Sequence, residues 1–250
     1  MKTTIIGGGS YQWSPKLITD LLGTPSLAGM DLVLCDIDPE PLPKMEALTR
    51  LASDALGAKV GVTTTTDQRV ALEGADFVIV TISTGAFASM KVDLEVPAAH
   101  GIHQSVGDTV GPGGINRSLR NVPVLVGIAR DMEQCCPDAW MLNITNPMTC
   151  LTRSVCRESD LKCVGLCHEV GNFCMDLAIA LGLPHTMLNP VVSGVNHFPV
   201  LCSLDVDGRD GFEVLTQMVD ELGGLGTIRE KLTTTESEAF SREDFARRHL

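Results

Sequence analysis

Short apolar runs alternate with longer stretches in which apolar residues recur every three to four positions, from the first residues to about Pro184. The short runs read as strands at Thr3–Ile6, Asp31–Cys35, Val60–Thr63, Asp76–Ile82, Trp140–Ile144 and Leu161–Leu166. The run from Asp76 (Asp-Phe-Val-Ile-Val-Thr-Ile) lacks polar alternation, which predicts a strand covered on both faces. Between the strands the spacing predicts helices from Pro15, whose ring suits a first helical turn, to Leu22, then over Pro41–Leu56, Ile115–Cys135 and Asn172–Leu181. Strand and helix in alternation imply a parallel sheet with crossover helices. The fold class is therefore α/β, a Rossmann-like doubly wound sheet over residues 1–183.

Beyond Pro184 the pattern changes. Val191–Val195 and Val200–Val206 read as strands, Asp207-Gly208 as a turn, and Phe212–Leu222 and Ile228–Leu232 as helices. Thr233–Leu250 is polar and charged and supplies no final core element. Residues 184–250 thus read as the start of a second α+β domain that is truncated.

Composition narrows the class. A chain of 250 residues with 44% hydrophobic residues has enough apolar material for a sizeable core. A formal charge of −12 offers no broad basic face for a phosphate backbone, so no nucleic-acid partner is expected. No apolar run approaches the roughly 20 residues of a membrane helix, and the first residues run into glycines with no cleavage site. Nine cysteines, an odd number set largely in apolar segments, suit reduced thiols. These features together predict a cytoplasmic protein with no membrane partner.

Two constellations carry chemistry. Gly7-Gly8-Gly9-Ser10-Tyr11-Gln12 follows the first strand, with Gln12 where a third glycine usually stands. Gly7 and Gly9 allow a tight turn and close backbone approach to a pyrophosphate, with Ser10 beside them. Asp36 ends the second strand, where a carboxylate can accept bonds from ribose hydroxyls and repel a 2′-phosphate, which favours NAD over NADP. The alternative is that Asp36 and Asp38 cap the next helix. The second constellation is Cys167-His168-Glu169-Val170 after the Leu161–Leu166 strand, with Gly194-Val195-Asn196-His197 about thirty residues on. A thiolate and an imidazole from two directions make a pair of metal ligands with open positions, as a catalytic metal needs. The alternative is a buried cysteine and a core histidine. Asn146, in Asn143-Ile144-Thr145-Asn146-Pro147, offers a donor and an acceptor to sugar oxygens, or simply a turn before a helix near Pro147. Gly107 to Gly114, containing Asp108, reads as a loop or a lid over the cleft. Arg117 reads as a holder of an anionic group or as a solvated residue at a helix start, and His100 and His103 as surface or lid residues.

Taken in order, these motifs resemble the NAD- and manganese-dependent enzymes of glycoside hydrolase family 4, over Met1 to about Val206. The resemblance implies NAD and Mn²⁺, or another divalent cation, as cofactors. It assigns Cys167 and His197 as metal ligands, Asn146 to the sugar, and Asp108 to the support of a catalytic base, with His168 a further catalytic candidate. It implies hydride transfer from sugar C3 to NAD⁺, removal of the C2 proton, elimination at C1, addition of water and return of the hydride. His168 after the cysteine resembles the subgroup acting on unphosphorylated α-glycosides, with α-galacturonides ahead of α-galactosides and α-glucosides. Family members are longer, so the resemblance places the catalytic base beyond Leu250 and implies a homo-oligomer at full length. Two other readings compete: a lactate/malate-type NAD dehydrogenase, which needs no metal, and a truncated NAD-binding protein without catalysis.

Overall fold

The computed structural model describes residues 1–104, 106–181 and 183–221; the features expected at Leu222, Ile228–Leu232 and Thr233–Leu250 lie outside the described residues. The described residues divide into two compact units, one of Met1–Cys167 with Val195–Phe198, the other of His168–Gly194 with residues 199–221.

The first unit runs β1 (Lys2–Ile6), α1 (Ser14–Leu22), β2 (Asp31–Cys35), α2 (Leu42–Leu56), β3 (Gly61–Thr65), α3 (Gln68–Leu72), β4 (Phe77–Val80), α4 (Ala86–Ala99), α5 (Gly111–Cys135), β5 (Trp140–Asn143), α6 (Met148–Glu158) and β6 (Lys162–Gly165). Its six strands lie in the order β3-β2-β1-β4-β5-β6, and every pairing is parallel. This is the strand order of a doubly wound dinucleotide-binding sheet, as the alternation predicts.

Successive strand residues point to opposite faces, and the core divides accordingly. Ile5, Leu32, Leu34, Val62 and Ile79 pack with Ile18 and Leu22 of α1 and with Leu42 and Met45 of α2. Ile6, Val33, Cys35, Val78, Val80 and Met141 pack with Leu72 of α3, with Leu125, Ile128 and Met132 of α5, and with Leu151 and Val155 of α6. Covered on both faces, β2 and β4 carry near-continuous apolar runs, while β1 adds the buried Thr3 and Thr4. The register aligns Ile6 with Cys35 and Val80, Val80 with Asn143, and Asn143 with Gly165. The segments that follow these residues therefore leave the sheet along one carboxyl edge.

Three features of this unit differ from the sequence reading. Helix α3 is an addition, started by Asp67, whose carboxylate accepts from the backbone N–H of Arg69 (2.9 Å) and Val70 (3.2 Å). Helix α4 is another; it has no apolar stripe to read, because Phe87, Val92 and Val96 are exposed while Asp93 and Pro97 are the buried residues. Helix α5 starts a turn earlier than expected. Gly111 to Gly114 form its first turn with Pro112 near the start, so the loop shrinks to Gly107–Val110.

The second unit contains α7 (Glu169–Leu181), β7 (Leu188–Val195), β8 (Phe198–Val206), β9 (Arg209–Asp210) and α8 (Gly211–Glu221). Its strands form a three-stranded sheet in the order β7-β8-β9, with β8 and β9 antiparallel, an α+β arrangement. The β8–β9 turn is Asp207-Gly208 as expected, both with positive φ (52° and 79°), the combination of a two-residue hairpin turn. Ala178 of α7, Leu188, Leu204 and Val206 are its buried core. Ala178 of α7 packs into that core, so this helix belongs to the compact unit that begins at His168.

Candidate functional site

At the end of β1 the chain turns sharply over β2. The backbone N–H groups of Gly7 and Gly8 both donate to the Cys35 carbonyl at 2.9 Å. Gly7 has φ +89°, and a Cβ there would stand 1.9 Å from the Thr81 carbonyl oxygen, so only glycine fits. Gly9 N–H donates to Asp36 Oδ2 at 2.9 Å, while Asp36 Oδ1 accepts from Asp38 N–H at 3.1 Å. Asp36 thus stands beside the glycine turn. Neither it nor Asp38 caps α2, which begins after Pro41 with no side-chain cap. Ser10 Oγ accepts from Trp13 N–H at 3.2 Å, and Ser14, fully buried, opens α1. Gln12 therefore lies in the turn before the helix, and the close approach of helix to strand is met by the small Ser14. The backbone N–H groups of residues 7–10 are bonded within the protein, so what this turn offers a dinucleotide's pyrophosphate is close approach over glycine and the Ser10 hydroxyl proton.

On the same edge, β5 ends in the fully buried Asn143. Its Oδ1 accepts from Thr145 N–H at 3.0 Å and its Nδ2 donates to Thr152 Oγ1 at 3.1 Å, folding the turn that follows. Thr145 Oγ1 accepts from Ile82 N–H (3.0 Å) and donates to the Val80 carbonyl (3.1 Å), which ties this turn to the end of β4. The next residue is Asn146, joined to Pro147 by a cis peptide. Its carbonyl accepts from Arg117 Nε and from Asn121 Nδ2, both at 3.1 Å. Arg117 is half-buried, not solvated, and burial lowers its pKa while Asp108 pulls the other way.

A bonded chain of side chains runs outward from Asn146. Its Nδ2 donates to Asp108 Oδ2 at 3.3 Å; Thr109 Oγ1 donates to Asp108 Oδ1 at 3.0 Å; and Thr109 Oγ1 lies 3.1 Å from His197 Nδ1. His197 sits between β7 and β8 with φ +60°, a left-handed conformation that costs on the order of 1 kcal/mol. Cys167 follows β6, after Leu166 N–H has bonded to the Asn143 carbonyl at 2.9 Å. Its Sγ and a ring nitrogen of His197 lie within 4.8 Å of each other. One residue before His197, Asn196 Oδ1 is a buried oxygen with no hydrogen-bond partner, while its N–H donates to Thr149 Oγ1 at 3.4 Å. A thiol, an imidazole and an orphaned oxygen one residue away suit a divalent transition metal.

The structure joins Asp108, Asn146 and His197 in one hydrogen-bonded chain, with Cys167 beside His197. It gathers Gly7, Gly9, Ser10 and Asp36 into a separate turn on the same sheet edge. His168 is exposed at the head of α7, where its carbonyl accepts from Asn172 N–H at 2.8 Å. His100 and His103 are exposed. Thr109, Asn121 and Asn196 were missed by the sequence reading. Thr109 and Asn196 lie inside the quoted motifs, but a hydroxyl or an amide in a loop carries no chemical signal until its neighbours are known.

The family described as family 4 glycosyl hydrolases matches residues 2–183. An alpha-galactosidase of Bacillus subtilis is 39% identical over 221 residues, covering 88% of this chain and 51% of the relative. An alpha-galacturonidase of Thermoanaerobacterium saccharolyticum is 40% identical over 236 residues, covering 90% of this chain and 50% of the relative. Among solved structures, the Bacillus subtilis protein lplD superposes with a TM-score of 0.80 at 32% identity, over 89% of this chain and 52% of its own. A 6-phospho-alpha-glucosidase from gut microorganisms, in complex with NAD and Mn²⁺, shares the fold with a TM-score of 0.79 at 24% identity, over 89% of this chain and 51% of its own. The chain spans about half the length of the curated relatives it matches. The match over residues 2–183 and the two relatives near 40% identity decide between the competing readings, and the dehydrogenase is set aside: the chain belongs to glycosyl hydrolase family 4.

Proposed function

We propose that this chain forms the cofactor- and metal-holding part of a glycosidase that cleaves unphosphorylated α-glycosides, α-galacturonides first and α-galactosides or α-glucosides next. The observation that carries the reading is the Cys167–His197 pair, with Asp108 and Asn146 linked to it through Thr109. The alpha-galactosidase and alpha-galacturonidase relatives support the sugar class. The NAD and Mn²⁺ in the structurally similar 6-phospho-alpha-glucosidase support the pair of cofactors.

Each residue then has a role within reach of its present bonds. Gly7, Gly9 and Ser10 receive the pyrophosphate of NAD, and Asp36 keeps lone pairs for ribose hydroxyls beyond the one bond at each oxygen. Cys167 and His197 hold the divalent cation. When bound, NAD supplies a hydride acceptor and the cation supplies a Lewis acid. Asn146 Nδ2 uses one N–H on Asp108 and has a second for a sugar hydroxyl. Asp108 places a fixed negative charge beside the proton chemistry, and the exposed His168 imidazole is assigned to proton transfer at the sugar.

The test follows p-nitrophenol release from the α-galacturonide, α-galactoside and α-glucoside by the chain and by any longer reading frame that contains it. NAD⁺, Mn²⁺ and a thiol reductant are supplied together and then omitted one at a time. Release that needs all three is the expected result, and release without NAD⁺ overturns the reading. NAD binding with no release from any substrate points instead to a non-catalytic NAD-binding protein.

A further inference from the structure

The direction of each hydrogen bond in the Asn146–Asp108–Thr109–His197 chain follows from the donors available. Asn146 Nδ2 is a donor and each Asp108 oxygen an acceptor, so Oδ2 is satisfied by the amide at 3.3 Å. Oδ1 has the Thr109 hydroxyl at 3.0 Å, the bond that carries the hydroxyl proton. With that proton committed, Thr109 Oγ1 presents lone pairs to His197 Nδ1 at 3.1 Å and accepts from Nδ1–H. The opposite tautomer would draw the hydroxyl proton to His197. Thr109 Oγ1 and Asp108 Oδ1 would then face each other at 3.0 Å with no hydrogen between them.

The backbone holds Thr109 in this position. A Cβ at Gly114, in the first turn of α5, would stand 2.5 Å from the Thr109 carbonyl carbon and oxygen, so the loop is pressed against the helix where only glycine lets it lie. Gly107, two residues before, has φ +61°. The hydroxyl is thus delivered to His197 by a fixed piece of chain.

We propose that Thr109 is a positioning residue that relays the Asp108 carboxylate to His197 and fixes the imidazole as the Nδ1–H tautomer, leaving the Nε2 lone pair for the cation. The inference rests on the metal assignment made under Proposed function. A ligating imidazole whose other nitrogen donates to a carboxylate or its relay is oriented and made more basic, and loss of such a partner costs about 10–100-fold in metal affinity.

The experiment compares the whole chain with Thr109→Val, which keeps the shape and removes the hydroxyl, and Thr109→Ser, which keeps the hydroxyl and removes the methyl. The first readout is the ¹⁵N ring spectrum of His197 in metal-free protein, at about pH 8.5, where an ordinary imidazole is neutral. The second is affinity for Co²⁺, read from the thiolate-to-metal absorption band of Cys167, with NAD⁺ affinity as a control for folding. The unaltered chain and the serine variant should show a protonated Nδ1 and Co²⁺ affinities within about 3-fold of each other. The valine variant should shift toward the Nε2–H form and bind Co²⁺ about 10–100-fold more weakly, with NAD⁺ affinity unchanged. An unaltered ring spectrum and Co²⁺ affinity in the valine variant overturn the relay and leave the metal assignment standing. A serine variant as weak as the valine variant also overturns it, since the methyl and not the hydroxyl would then matter. An unaltered chain that binds no Co²⁺ at all overturns the metal assignment itself, and the relay falls with it.

Discussion

Cys167 differs from the buried and half-buried cysteines Cys35, Cys136 and Cys163 of its unit in a way that chemistry can read. Cys35 and Cys136 are buried, and burial pushes both thiols up to about 11; Cys163, half-buried, is pushed up to about 12. Cys167 is exposed and stands beside an imidazole nitrogen. At pH 8 the first three are almost wholly protonated, and the thiol is a poor nucleophile. Brief iodoacetamide treatment followed by peptide mass spectrometry should therefore mark Cys167 and the exposed Cys150, Cys156 and Cys202, and spare Cys35, Cys136 and Cys163. Mn²⁺ should then slow labelling at Cys167 by at least about 5-fold at saturating metal, without protecting Cys150, Cys156 or Cys202. Equal protection at all four would mean that the metal acts on the chain at large and not through this thiol.

At the level of elements, α4 and α5 are joined by a charge that sequence periodicity does not show. Asp93, on α4, is 2% exposed and accepts two bonds from Arg120 of α5, at 2.9 and 2.5 Å, and a third from Asn116 Nδ2 at 2.6 Å. The bonds from Arg120 hold the Asp93 carboxyl below its ordinary value, against the opposing effect of burial. A folded-state pKa below the unfolded value, which is about 3.9, contributes stability that is complete above the unfolded pKa and is lost as pH falls through the folded one. Asp93→Ala should cost about 3 kcal/mol at pH 7, because Arg120 is left largely buried with its charge uncompensated. Urea unfolding at pH 7 and at about pH 3 checks this, and the gap between parent and variant should narrow in acid. A gap independent of pH would show that the carboxyl's packing matters and its ionisation does not. The same pair explains why α4 exists without an apolar stripe: its attachment is polar, and its apolar residues Phe87, Val92 and Val96 face outward.

On the scale of the whole molecule, the candidate ligands of one cation come from segments far apart in sequence, Cys167 after β6 and His197 between β7 and β8. A cation held by both binds the folded chain and not the unfolded one, so it stabilises by mass action, by about 2.7 kcal/mol at a concentration 100 times its Kd. For a chain of this length that is a rise in Tm of roughly 5–11 °C. Differential scanning fluorimetry with Mn²⁺ alone, NAD⁺ alone and both should show two stabilisations. The Mn²⁺ shift should vanish in Cys167→Ser while the NAD⁺ shift stays. Loss of both in that variant would argue that the substitution damages the fold. No helix among the described residues is long and apolar enough to cross a membrane.

The parallel doubly wound sheet, the glycine turn and Cys167 and His197 as candidate ligands were legible because each rests on local chemistry. A buried parallel strand must be apolar along its length, a sharp turn needs glycine, and a metal needs soft or basic donors. The Asp207-Gly208 turn is legible for the same reason, since both its residues tolerate positive φ. Tertiary structure alone decided which neighbours those residues meet. Asn146 is 38 positions from Asp108, and Thr109 is 88 positions from His197. Their bonds depend on parallel strands ending in register at one edge, and a linear pattern does not encode that. The first turn of α5 shows the same limit. Gly111 to Gly114 read as a loop because glycine disfavours helix, yet the turn is helical, and glycine stands at 114 because a side chain there would meet the backbone of Thr109. The sequence by itself determined the fold and which residues are candidates for its chemistry. Packing across the sheet edge decided which side chain orients which, since a hydrogen bond has direction and length only once both partners are placed.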